Sequence, residues 1–321
     1  MLECGRRTRS AAIRPAACTA RASADATAGR ARERGGQYPT LKPLLVTLAL
    51  LLGCLGLLLV LSAYRWRRET TRLVKQLRLR GPATRPTTFN TAELRGLPPP
   101  VVRYFGTVLS DAHPVIRYAR LVQRGRFLVR PTPNGWRPFT AEEHFGTESG
   151  GFVWSARIAM APGLSIWVRD GLVGGTGSMR AGVMGLWTVA DVKHTPEIAE
   201  AALQRYLAEA VWFPTALLPS QGVAWAAMGD TSAQATLTVA GSTASLDFHF
   251  GGDGLVKRVY TAARGREVEG RAVPTPWQGR FSRYESRDGV TIPIAGEVEW
   301  LLPEGARPYW RGELTAVTFE Y

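Results

Sequence analysis

The sequence predicts an α+β protein: an N-terminal transmembrane helix, then a strongly curved antiparallel sheet or open β-barrel of about a dozen strands, capped by a central helix. Three observations carry this. From Leu44 to Ala63 the chain runs for 20 residues without a charge, about the length needed to cross a bilayer as a helix. Beyond residue 110 apolar and polar residues alternate in short runs, the period of half-buried strands. Turn sequences such as Gly251-Gly252-Asp253-Gly254 and Asp288-Gly289 join several runs directly, which requires antiparallel pairing, since parallel strands need long crossovers.

In chain order, residues 1–40 are rich in Arg, Ala, Thr and Gly and cannot bury a core; they read as a disordered basic tail or a mis-assigned translation start. The span at 44–63 lacks the short apolar core and Ala-x-Ala site of a cleaved signal peptide. Leu52-Gly53-Cys54 resembles a lipoprotein cleavage box, but the apolar run continues to Leu61, which favours membrane-helix packing. Four basic residues flank the span on its N-terminal side (Arg30, Arg32, Arg34, Lys42) and seven on the other, from Arg65 to Arg80, which taken literally puts the large domain in the cytoplasm. An N-terminal tail with eight arginines would itself resist export, so the two flanks compete.

Residues 64–88 read as a basic juxtamembrane helix, lying against anionic headgroups or serving as a solvated spacer, followed by a linker. The globular domain then covers 89–321. Leu97-Pro98-Pro99-Pro100 introduces a helix of about ten residues, VVRYFGTVLS. Strands follow at 115–130, 137–145, 151–160, 164–173 and within 177–189; after the central helix come 222–228, 233–239, 244–250, 255–263, 277–285, 290–301 and 309–321.

The central helix lies in Thr195 to Ser220. Thr195 is a natural N-cap, Pro196 sits where its missing N–H costs nothing, and Glu197 and Glu200 favour the positive end of the dipole. Ala199, Leu203, Tyr206, Ala210 and Val211 form one apolar face; Glu197, Glu200, Gln204 and Arg205 gather on the other; Pro214 stops the helix.

The net charge of +14 invites a nucleic-acid reading until it is divided along the chain. Residues 1–85 hold 17 basic and 4 acidic residues, whereas residues 86–321 hold 23 and 22. A near-neutral domain with no basic block argues against nucleic acid as a partner. All three cysteines, Cys4, Cys18 and Cys54, precede the domain, so neither disulfide nor thiolate chemistry is available there.

No catalytic motif stands out. Glu142, Glu143 and His144 make one small cluster; Asp191 and His194, read as a loop, make another. Such pairs could meet to bind zinc, but exposed polar strand faces explain them more simply, so no metal or cofactor is expected. Gly174-Gly175-Thr176-Gly177-Ser178 lacks the Lys of a phosphate loop. An enzyme with a carboxylate or carboxylate–histidine site would draw on Glu142, Glu143, His144, Asp191, His194 and Glu209. A structural or assembly protein would instead show a flat exposed apolar patch.

Aromatic residues point elsewhere. A curved sheet capped by a helix leaves a cavity, and Trp154, Tyr206, Trp212, Phe213, Trp225, Trp277 and Trp300 are the candidates to line it around a lipid or other apolar ligand.

The segments LPPPVVRYF, GRF, PFTAEEHF, GFVWSARIAMAPGL, YLAEAVWFPTALLPS, TPWQGRF and PYWRGEL together resemble an uncharacterised bacterial family, a domain of unknown function, over residues 95–321. Ser155 stands where that family usually has an acidic residue. The antiparallel strands, inserted helix and DGVTIP hairpin at Asp288 to Pro293 are also similar to the open-barrel fold of periplasmic lipoprotein carriers. That resemblance implies a domain on the extracytoplasmic side of a bacterial cell membrane, against the literal charge rule.

Overall fold

A computed structural model describes residues 41–78, 85–193, 195–269 and 271–321. The tail at 1–40, the start of the linker (81–84) and His194 lie outside them. The chain divides into two units, Met1–Ala49 and Leu50–Tyr321; of the first, the described part is the exposed opening of helix α1 (Leu41–Leu77), and the second holds the rest of that helix and the whole sheet.

Among the described residues α1 is the one helix long and apolar enough to cross a membrane. Its 37 residues would measure about 55 Å at ~1.5 Å per residue. The basic half packs one side on the sheet and leaves Arg65, Arg67, Arg68, Arg72 and Lys75 exposed. Trp66 meets Trp167 edge-on at 5.9 Å, Arg169 donates to Trp66 O (3.3 Å) and Thr70 Oγ1 (3.2 Å), and Leu77 is 2% exposed.

Thirteen strands form one sheet. The first arm is β1 (Tyr118–Leu128), β2 (Trp136–Gly146), β3 (Gly151–Ala161), β4 (Leu164–Val173), β5 (Thr176–Val183) and β6 (Trp187–Lys193). The second is β7 (Ala224–Gly229), β8 (Ser232–Val239), β9 (Ser242–Phe250), β10 (Val256–Val268), β11 (Arg271–Arg287), β12 (Val290–Leu302) and β13 (Gly305–Glu320). Each arm is a meander of neighbours, and β1 pairs with β13 to fuse them, leaving β6 and β7 as the two edges. Two-residue turns at Ala240-Gly241 (φ 48°, 85°) and Asp288-Gly289 (φ 47°, 80°) supply the paired positive φ values that match strand twist. Asp191 and Lys193, expected in a loop, belong to β6, where Asp191 faces Arg180 across the pair.

The fused seam bends sharply because glycine lines it. Gly125 of β1 pairs with Gly312 of β13, which pairs with Gly296 of β12. A Cβ at Gly125 would lie 2.0 Å from the Arg311 carbonyl oxygen, and one at Gly312 would lie 2.4 Å from Trp310 Cζ2. The space is taken by neighbouring backbone and an indole, so the strands can coil without side chains between them.

Helix α2 (Pro99–Val108) begins on its proline pair and buries Tyr104 and Phe105, which meet Phe250 (5.7 Å) and Trp225 (6.4 Å). Helix α3 (Pro196–Glu209) is capped as expected, Thr195 Oγ1 accepting from Ile198 N at 3.4 Å. It runs from one sheet edge to the other and touches β3, β4 and β5 of the first arm and β8, β9 and β10 of the second. Regular helix ends at Glu209, five residues before Pro214. Phe213, held at φ −142° before the proline, cannot continue the turn, and three short 3₁₀ segments carry the buried chain onward. Nor is the face of Gln204 and Arg205 solvated: Gln204 is 3% exposed and the Arg205 side chain 18%.

Gly125→Ala is expected to lower unfolding stability by about 2–3 kcal/mol, because backbone must move to admit the methyl. An unchanged urea midpoint would mean that the seam is looser than this geometry requires.

Candidate functional site

Between α3 and the concave face of the sheet lies a cavity of about 410 Å³. Both arms wall it. Phe127, Ile158, Ile166, Val168, Val189 and Val298 give it an apolar lining; Asp170, Arg205, Glu209, Arg264 and Tyr309 give it a polar part. The dimension falls within the roughly 300–1,000 Å³ usual for small-molecule sites, and an apolar wall with a few polar groups is their usual chemistry.

Three of the seven predicted ligand-lining aromatics, Trp154, Trp212 and Trp277, do line this cavity. The other four pack elsewhere. Tyr206 and Phe213 stack with Phe145 (6.3 and 4.4 Å), which fastens the helix and its exit turn to the sheet. Trp225 packs on Phe248 at 5.1 Å and donates from Nε1 to Leu217 O at 3.0 Å. Trp300 stacks on the cavity residue Tyr309 at 5.7 Å, one layer back.

The polar part is organised by Arg205. Its Nη2 meets Glu143 Oε1 at 2.7 Å, its Nη1 meets Asp170 Oδ2 at 2.7 Å, and its Nε meets Glu209 Oε1 at 2.9 Å. The guanidinium also lies over the rings of Phe152 (4.8 Å) and Trp154 (5.1 Å). Behind Glu143, Gln123 donates to Oε2 at 2.7 Å and itself accepts from Trp154 Nε1 at 2.9 Å. Four strands and the helix thus share one hydrogen-bonded chain. Arg205 and Asp170 carried no local signal: one sat at an exposed-looking helical position, the other in an ordinary strand.

Burial raises the Glu143 carboxyl well above its ordinary range, the nearby Glu209 charge adds to this, and Arg205 offsets only part. Glu209 is also raised, chiefly by burial. The two carboxyl groups thus raise each other's proton affinity across the buried site. Burial alone would lower the Arg205 guanidinium; Glu209, Glu143 and Asp170 together more than reverse that, so it stays charged.

The sequence cluster Glu142-Glu143-His144 is split by strand alternation. Glu143 points to the cavity side, whereas Glu142 is half exposed on the other face, paired with Arg120 at 2.7 Å and 3.7 Å from His144 Nε2. His144 lies 2.6 Å from the Tyr118 hydroxyl, and burial pulls its pKa down to about 4. Among the described residues no three His, Cys, Asp or Glu side chains are grouped to hold a metal ion.

Arg264 enters the cavity from the second arm at a β10 bulge, where pairing with β11 skips from Thr261 to Arg264. It donates from Nη1 to Ala201 O at 2.6 Å and, weakly, to Gln204 Oε1 at 3.5 Å, and lies 4.9 Å from the Trp277 ring centroid. Burial pushes its pKa down.

Fold and site together define an open antiparallel sheet strapped by a helix over an internal cavity. Residues 95–319 match the model of a family described as "Family of unknown function (DUF6920)", and the chain belongs to that family. No curated protein matches it. Solved structures similar to it include the following two. One, titled as an outer membrane lipoprotein-sorting protein domain, is from Vibrio parahaemolyticus: 6% identity, 63% of this chain and 85% of that chain, TM-score 0.35. The other is a LolA superfamily protein from Nitrosomonas europaea, with 8% identity, 64% and 86% coverage and TM-score 0.33.

Glu143 makes stability depend on pH with a definite sign. Its folded-state pKa lies above the ordinary 4.5, so the folded protein keeps a proton that the unfolded chain has lost, and stability falls as pH rises through that window. Glu143→Gln is expected to flatten this fall as pH rises above about 4.5, by up to ~1.4 kcal/mol per pH unit. Parallel stability–pH curves for the two proteins would contradict the raised Glu143 carboxyl.

Proposed function

We propose that this is a single-pass, membrane-anchored binding protein that holds an apolar or amphiphilic ligand in the cavity beneath α3. The carrying observation is the cavity itself, apolar over most of its wall, with two of its carboxylates, Asp170 and Glu209, held by Arg205. A body that bound only polar solutes would have no use for such a lining.

The anchor and the hairpin tips beside it support a position at the bilayer. Ser62, at the end of the apolar run, donates to Met184 O at 3.1 Å, and Met184 N donates to Ser165 O at 2.9 Å, which ties two hairpin tips to the helix at that level. Around them Leu164, Leu186, Val189 and Trp187 are exposed, Trp187 at 76%. Apolar tips with a tryptophan beside a membrane exit suit the headgroup layer, where indoles concentrate. Val189 also lines the cavity, so the same apolar rim leads inward.

The rival readings have less behind them. Of Glu142, Glu143, His144, Asp191 and Glu209, only Glu209 lines the cavity, and its Oε1 is occupied by Arg205. The exposed tips form an apolar patch, but they adjoin a cavity of about 410 Å³, which a purely structural protein does not need.

Native mass spectrometry of the full chain released from lipid nanodiscs, followed by solvent extraction, is expected to find a copurifying amphiphile. If none is found, and added amphiphiles neither quench tryptophan fluorescence nor raise the melting temperature, the binding reading is overturned.

A further inference from the structure

We propose that Arg264 is the anion site of this cavity, and that the ligand is an amphiphile with one anionic headgroup, a carboxylate or a phosphate monoester, seated on its guanidinium. This rests on the cavity being a ligand site. Among the described residues Arg264 has no carboxylate within ion-pair distance; its protein acceptors are a carbonyl and an amide oxygen, both on Nη1. The two carboxylates that share the cavity with Arg205, Asp170 and Glu209, are held by it at 2.7 and 2.9 Å, and Glu297 is paired with Arg311. A guanidinium brought under a helix and over an indole with carboxylates near it but none in direct contact is costly unless something acidic arrives to meet it.

Two further donors belong to residues that line the same space. Trp212 is 3% exposed, lines the cavity, and its Nε1 has no acceptor. The Tyr309 oxygen accepts from Trp277 Nε1 at 2.9 Å, and its own proton has no acceptor among the described residues. Against these, one buried acceptor at the cavity, Glu209 Oε2, lacks a donor, and it belongs to a carboxylate already held by Arg205 through Oε1. The unspent groups are therefore donors. A headgroup that only accepts hydrogen bonds answers them, whereas an ammonium would face Arg264 with like charge. The planar guanidinium stacked beside Trp277 is shaped for a bidentate oxyanion.

The test uses the full chain in nanodiscs and energy transfer from its tryptophans to a conjugated polyene fatty acid and to the chain-matched alcohol, with protein-free discs subtracted. The acid is expected to bind about tenfold more tightly than the alcohol, as one desolvated charge-assisted pair allows. Arg264→Gln should erase that preference and leave the alcohol within about twofold of its original affinity, and Arg264→Lys should restore much of it. Dodecanoate and dodecyl phosphate then compete against dodecanol; whichever anion displaces the probe at the lower concentration names the headgroup. An equal affinity for acid and alcohol, a preference that survives in Arg264→Gln, or anions no better than dodecanol would each overturn the anion site while leaving the cavity reading intact. Transfer to neither probe above the disc control would sink the cavity reading itself.

Discussion

One guanidinium ties the molecule together. Arg205 stands on the helix that crosses the sheet and reaches carboxylates on β2 and β4 as well as one on its own helix. Putting it in a site only 18% exposed is expensive, and three carboxyl groups at hydrogen-bond distance offset that expense without making the cluster a large net source of stability. What the cluster supplies is position. Each short, directional contact fixes where α3 lies over the sheet, and apolar packing at Tyr206 and Phe213 then fastens it there.

The cavity follows from that placement. A helix resting directly on an apolar concave face would sink until side chains filled the space, as close-packed interiors do. Here the helix is pinned through hydrogen-bonded groups of set length, and the glycine row Gly125, Gly312 and Gly296 puts no side chains into the space beneath it. Gly296 and Trp212 both line the resulting space. A helix held at a set height over a glycine-lined seam leaves a cavity of about 410 Å³.

Much of this architecture was readable from the chain because its causes are local. The uncharged run at Leu44 to Ala63, the Thr195-Pro196 helix start and turns such as Asp288-Gly289 each act through neighbours a few residues away. The pairing of β1 with β13 left no such mark, since Tyr118 and Glu320 meet only when both arms have formed. The site was harder for the same reason. Arg205 occupies a helical position indistinguishable by period from a solvated one, and only the folded sheet brings Glu143 and Asp170 to it. Seven aromatics were candidates for the lining, and nothing in strand alternation separates Trp154, which faces the cavity, from Trp225, which faces the α2 side of the core. Glu142 and Glu143 looked like one acidic cluster until the pleat put them on opposite faces.

The central claim is that Arg205 and the carboxylates of the sheet act as a unit that positions α3. A double-mutant cycle measures this directly: Arg205→Met, Glu143→Leu and the double variant, each unfolded by urea as the detergent-solubilised full chain. Arg205→Met alone strands buried acid and should cost about 3–5 kcal/mol, whereas the double variant should recover at least ~2 kcal/mol of the summed single losses. Losses that add within about 0.5 kcal/mol would show the two groups to be independent, and the strap described here would not exist.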